Sequence, residues 1–98
     1  MSFGYTEPKV ADPIYSTVQH AEWRRIVLER AGLRCQFVEH GRRCQKAAPF
    51  YRMFADHIVE LKDGGAPFDP ANGQCLCGRH HTKKTNVERT KRLAPSDV

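Results

Sequence analysis

No apolar run in this 98-residue chain approaches the roughly 20 residues of a membrane-spanning helix, so no membrane partner is expected. An export signal is also missing: the opening MSFGYTEPKVADPIY is polar and broken by Pro8 and Pro13. The expectation is a cytoplasmic protein, and in a reducing compartment Cys and His clusters favour metal over disulfides. There is no internal repeat or low-complexity segment, which sets aside repeat arrays. Apolar surface is scarce too, because a single domain of this length buries only a modest fraction of its unfolded area. Such a domain needs a staple, and the chain offers four cysteines and five histidines.

Positive charge is in excess. Sixteen Lys and Arg face eleven Asp and Glu, a formal net charge of +5. The excess is local: Arg79, Lys83, Lys84, Arg89, Lys91 and Arg92 meet Glu88 alone, and EWRRIVLERAGLRC and GRRCQK carry much of the remainder. Clustered cations suit a polyphosphate partner, although a solvated basic surface has the same composition.

Residues 1–15 read as an extended or disordered arm, residues 16–92 as the folded domain and residues 93–98 as a flexible tail. In STVQHAEWRRIVLERAG, Ser16 and Gln19 match a capping box, Trp23, Ile26, Val27 and Arg30 recur at helical spacing, and Gly32 ends the helix. The helix is expected to pack through Trp23 and Ile26 or Val27, with its arginines facing solvent or nucleic acid. LRCQFVEHGRRCQK places Cys35 and Cys44 on either side of a turn at Gly41. FYRMFADHIVEL reads as a strand ending near Asp56, His57 and Ile58, KDGGAPFDPAN as a loop, and Gly73 to Leu76 as a short returning strand. A basic helix follows from about Gly78 to around Arg92. The fold class is thus α+β, with an N-terminal helix and a zinc knuckle.

A tetrahedral zinc site takes four ligands from two short turns, and Cys35, Cys44, Cys77 and His80 supply them. Cys77-x-x-His80 has the spacing of a knuckle that leads into a helix. Eight residues separate Cys35 from Cys44, so a longer hairpin replaces the usual tight turn. Cys75 competes with Cys77 and is read as a small buried apolar residue. His40 could replace a missing ligand, though a histidine at a hairpin tip is more often exposed.

Asp56, His57, Asn72 and His81 remain. A carboxylate and an imidazole are ligands for a divalent ion, and a second imidazole is a proton acceptor. ADHIVELKDGG…DPANGQCLCGRHHTKKT resembles the HNH endonucleases over about Trp23 to Arg89. The resemblance implies a ββα-metal fold, with His57 the first H, Asn72 the N and His81 the last H. It implies that His57 is the general base for phosphodiester hydrolysis and that Asp56 and His81 hold a catalytic Mg²⁺ or Mn²⁺. Asn72 would pin the loop and so fix the His57 ring. His80 stands where many members have a second knuckle cysteine, a change that preserves ligation.

The implied partner is DNA, with 5′-phosphate and 3′-hydroxyl products. A phage or prophage setting, with terminase subunits as partners, is implied for small solitary members. Lys83, Lys84 and Arg89 project from the last helix as candidate phosphate contacts, and Glu60 is a candidate supporting acid near the site. Asp56 and His57 are neighbours that must serve one phosphate, so the strand is expected to twist or end there.

Overall fold

The computed structural model describes residues 13–93. The expected arm at residues 1–12 and the tail from residue 94 lie outside the described residues. The order is a 3-10 turn (Pro13–Ser16), α1 (Val18–Arg30), β1 (Val38–Glu39), β2 (Arg42–Arg43), β3 (Met53–His57), 3-10 turns at Leu61–Asp63 and Pro70–Asn72, β4 (Gly73–Cys77) and α2 (Gly78–Leu93).

The α1 N-cap is Thr17, not Ser16. Its hydroxyl accepts from the His20 amide at 3.1 Å, while Ser16 is taken up in the preceding 3-10 turn. That turn also replaces an extended arm at residues 13–15, and it sets Tyr15 edge-on to His20 and His57.

Two antiparallel pairs, β1–β2 and β3–β4, make up the sheet structure of the described residues. His40 and Gly41, at φ of 54° and 76°, form the turn between β1 and β2, a two-residue reversal with both central residues left-handed. In β3–β4, Met53 pairs with Cys77, Ala55 with Cys75 and His57 with Gly73. Strand alternation then gives the pair two faces. Helix α1 covers one, where Trp23 stacks on His57 at 4.1 Å, and a Cβ built on Gly73 would lie 2.3 Å from Val27 Cγ2. Helix α2 covers the other, where His81 stacks on Phe54 and Lys84 reaches Asp56.

Trp23, Val27 and Leu28 are the buried stripe of α1, with Ile26 half-buried beside them. Trp23 is 1 % exposed and donates its indole N–H to the Asp69 carbonyl at 2.9 Å, which ties the long β3–β4 loop to the helix. Arg24, Arg25 and Arg30 are exposed, as expected of the helix's arginines, and Arg30 also donates to the Gly73 carbonyl. The rest of the core is Leu28, Ala31, Met53 and Leu76 with Cys35, Cys75 and Cys77. A fully buried Val, Leu or Met side chain contributes about 1.5–3 kcal/mol. So few of them, with cysteines for neighbours, leave a margin that a bound ion would widen.

No helix of the described residues is long and apolar enough to cross a membrane.

Candidate metal centre and adjoining cleft

The β1–β2 hairpin answers how cysteines so far apart share a site. Pairing of Val38 with Arg43 and Glu39 with Arg42, continued by Cys44 N–H to the Phe37 carbonyl, folds the intervening residues back. Arg43 closes the base of the hairpin by donating to the carbonyls of Ala31, Arg34 and Cys35 at 2.8–2.9 Å. Gln36 docks it on β4: its amide donates to the Cys75 carbonyl, and its side-chain oxygen accepts from Cys75 N–H. Cys35 and Cys44 are thereby presented to Cys77 at the end of β4 and His80 in the first turn of α2.

The four ligand atoms lie within 4.8 Å of one another. His80 Nδ1 is 3.5 Å from both Cys35 Sγ and Cys77 Sγ. In a tetrahedron with Zn–S near 2.3 Å and Zn–N near 2.1 Å, sulfur and nitrogen are separated by about 3.6 Å. The cluster could hold a metal ion such as zinc. Burial pushes the Cys35 thiol up to about 11. Burial acts in the same direction on Cys77, but the backbone N–H groups of His80 and Arg79 and hydrogen bonds with Cys35 and Cys44 outweigh it, so that thiol is lowered. All four cysteines are unbridged, and Cys75 is fully buried in the core as expected of an apolar residue, its thiol raised by burial. His40 sits exposed in the hairpin turn.

Glu39 was not anticipated. Its carboxylate lies 3.4 Å from His80 Nε2, on the ring edge away from the sulfurs, and 2.7 Å from Lys83 Nζ. The Lys83 ammonium and, after it, His80 hold Glu39 down at about 2. Phe37 stacks flat on the His80 ring at 4.2 Å. A carboxylate on the outer nitrogen of a ligating histidine fixes its tautomer and orientation. Glu39 has no motif spacing to reveal it, because the hairpin alone brings it to residue 80.

The second group assembles around the end of β3, which terminates at His57. Asp56 and His57 project to opposite faces, yet both line a cleft of about 290 Å³ with Tyr15, Glu60, Leu61 and Lys62. Asp56 Oδ1 is 3.7 Å from His81 Nε2, and its other oxygen accepts from Gln74 Nε2 at 3.1 Å. His80 and His81, about 100° apart around α2, thus serve different groups: His80 is 3 % exposed among the cysteines, and His81 faces Asp56.

His57 is 7 % exposed and held from two sides. Trp23 stacks on its ring, and its Nε2 is 2.9 Å from the Pro67 carbonyl. A carbonyl only accepts, so Nε2 carries a hydrogen, and in the neutral ring Nδ1 keeps the lone pair. His20 lies nearby, its pKa lowered by burial and then by the charge of His57 and Arg24. Asn72 closes the loop that carries Pro67: Oδ1 accepts from Val59 N–H at 2.8 Å, and Nδ2 donates to the carbonyls of Val59 and Ala66 at 3.0 and 2.9 Å. Gly65 lets that loop close, since a Cβ there would fall 1.8 Å from the Val59 carbonyl oxygen.

The expected phosphate contacts are disposed unequally. Arg89 is exposed on α2. Lys83 lies over the Phe37 ring and pairs with Glu39. Lys84 turns inward: its side chain is 14 % exposed, with Nζ 3.1 Å from Asp56 Oδ2 and 3.6 Å from Glu60 Oε2. The ammonium is shut off from solvent and paired by charge without hydrogen-bond alignment. Two sheltered carboxylates draw it in, which the helix register alone does not reveal.

No protein-family model, curated protein or solved structure matches this chain.

Proposed function

We propose that the chain is a metal-dependent endonuclease that hydrolyses DNA phosphodiester bonds, built on the ββα-metal unit of the HNH endonucleases with a structural zinc ion at Cys35, Cys44, Cys77 and His80. The observation that carries the reading is the convergence of Asp56 and His81, 25 positions apart in sequence, to 3.7 Å beside a cleft that His57 also lines. A carboxylate that lines the cleft, with an imidazole beside it, fits a divalent ion that would keep waters and substrate oxygens in its other positions. When bound there, the ion supplies charge neutralisation at the phosphoryl oxygens and the leaving 3′ oxygen.

The chain's own groups supply the rest. His57 Nδ1 takes a proton from water as the water oxygen bonds to phosphorus and the bond to the 3′ oxygen breaks, leaving a 5′-phosphate and, after protonation from solvent, a 3′-hydroxyl. The Pro67 carbonyl holds the ring through Nε2–H, and Asn72 holds the loop that carries Pro67. Lys84 compensates the charge of Asp56 and Glu60, and Gln74 donates to the Asp56 carboxylate. DNA is the partner of this reading and a reducing, cytoplasmic setting its compartment; phage terminase subunits rest on the family resemblance alone.

A zinc-stabilised nucleic-acid-binding module without catalysis is the second reading. Lys84 favours it, because its ammonium already compensates the carboxylate that would hold the ion. Supercoiled plasmid separates the two. Cutting with Mg²⁺ or Mn²⁺, with ends that DNA ligase reseals, supports the endonuclease. Asp56→Ala and His81→Ala should then demand more metal for less rate. A wild-type protein that binds the plasmid but never cuts it with either ion supports the module.

A further inference from the structure

The segment leading into β3 carries cations and aromatic rings that neither the metal centre nor the cleft uses. Arg52 immediately precedes the strand and is exposed, and its guanidinium lies 4.8 Å from the centre of the Phe54 ring. Phe54 in turn stacks on His81 at 4.7 Å with the planes only 11° apart. Phe54 therefore lies in contact with both Arg52 and His81, and so links Arg52 to the Asp56–His81 pair. Upstream, Lys46 lies 5.4 Å from the centre of the Tyr51 ring, which is half exposed, and Phe50 stands 89 % exposed between them in sequence. An aromatic side chain so fully in solvent adds nothing to a small core, and here it is flanked by two cations. Cations that track a phosphate backbone, interleaved with rings that accept bases, are the elements of a nucleic-acid-binding surface.

We propose that Lys46–Arg52 is a nucleic-acid-docking arm, in which Arg52 binds a backbone phosphate next to the one at Asp56 and His81 and Phe50 packs against a nucleobase. The placement beside the scissile phosphate rests on the endonuclease reading; the binding of nucleic acid by the arm does not. Arg52 suits this role because its guanidinium rests over the Phe54 ring and keeps N–H groups for phosphate oxygens. Phe50 would meet bases in single strands or at a locally opened step of a duplex.

The test is binding of fluorescein-labelled DNA, single-stranded and duplex, to the zinc-loaded full chain carrying His57→Ala, measured by anisotropy across a salt series in EDTA-free buffer. Adding Arg52→Ala should weaken binding to both forms and flatten the slope of log K against log salt by about 0.9 for duplex. Arg52→Lys should restore that slope. Adding Phe50→Ala instead should weaken single-strand binding about tenfold with the slope unchanged. Arg52→Ala and Phe50→Ala proteins that bind like their parent, with the parent's salt slope, would overturn the proposal. Plasmid cleavage by the wild type is scored separately, so a failed endonuclease reading leaves the binding result interpretable.

Discussion

Replacing Asn72 by Ala removes three hydrogen bonds and no charge. Val59 N–H loses its acceptor, and the Val59 and Ala66 carbonyls lose their donor. At about 1 kcal/mol net each, and with water able to reach part of this loop, the expected loss is about 2 kcal/mol. For a domain of this size that lowers the midpoint of thermal unfolding by about 10 °C. The functional loss should be larger than the stability loss. With the loop released, Pro67 no longer holds His57 Nε2, and a misplaced base costs about 10²-fold in rate. The expected signature is a fall in kcat at little changed KM, together with nitrogen NMR shifts of His57 that move from a single Nε2–H tautomer to a mixture. Asn72→Asp should be no better, because it keeps the acceptor for Val59 N–H but sets a carboxylate against two carbonyls. An Asn72→Ala protein with wild-type rate and an unchanged His57 tautomer would refute the chain of contacts from Asn72 through Pro67 to His57.

The metal centre makes its own demands. Protein purified without added metal should carry about one zinc per chain by elemental analysis, and Cys44→Ala should lose both the zinc and much of the fold, since structural zinc contributes about 10 kcal/mol or more. Glu39→Gln should leave the fold intact but weaken zinc binding about 10–100-fold in competition with a chromogenic chelator, because His80 Nε2 loses its carboxylate. Zinc loading of metal-free protein at neutral pH should release protons into a weakly buffered solution, because thiols protonated at that pH ligate as thiolates, and affinity should fall as pH drops.

Much of this site was legible because its residues are constrained by local geometry. Cys77-x-x-His80 names a knuckle at a helix start, adjacent histidines on a helix diverge by a fixed angle, and Gly64-Gly65 with Pro67 and Pro70 leaves the chain little but a loop. Strand β3 could be placed because aromatic and aliphatic residues give way at Asp56 and His57 to that loop. The misses share a different cause. Glu39 reaches His80 only through the hairpin, Lys84 turns inward only because Asp56 and Glu60 are sheltered together, and His81 stacks on Phe54 only once β3 lies against α2. Tyr15, expected in an extended or disordered arm, borders the cleft through its packing on His57. Each is a long-range contact made by a residue type common on any surface, so spacing carries no mark of it. The Thr17 cap is a one-residue slip, caused by a turn upstream that composition did not announce.

Central to the account is His57 as the base of a hydrolytic site. The most direct measurement compares wild type and His57→Ala, both purified free of contaminating nuclease, on supercoiled plasmid with Mg²⁺ or Mn²⁺ and with EDTA. The wild type should cleave with metal and not in EDTA. His57→Ala should lose cleavage while keeping its zinc, its fold and its affinity for DNA. A His57→Ala protein that cuts at near wild-type rate, or a wild type that never cuts, would contradict it.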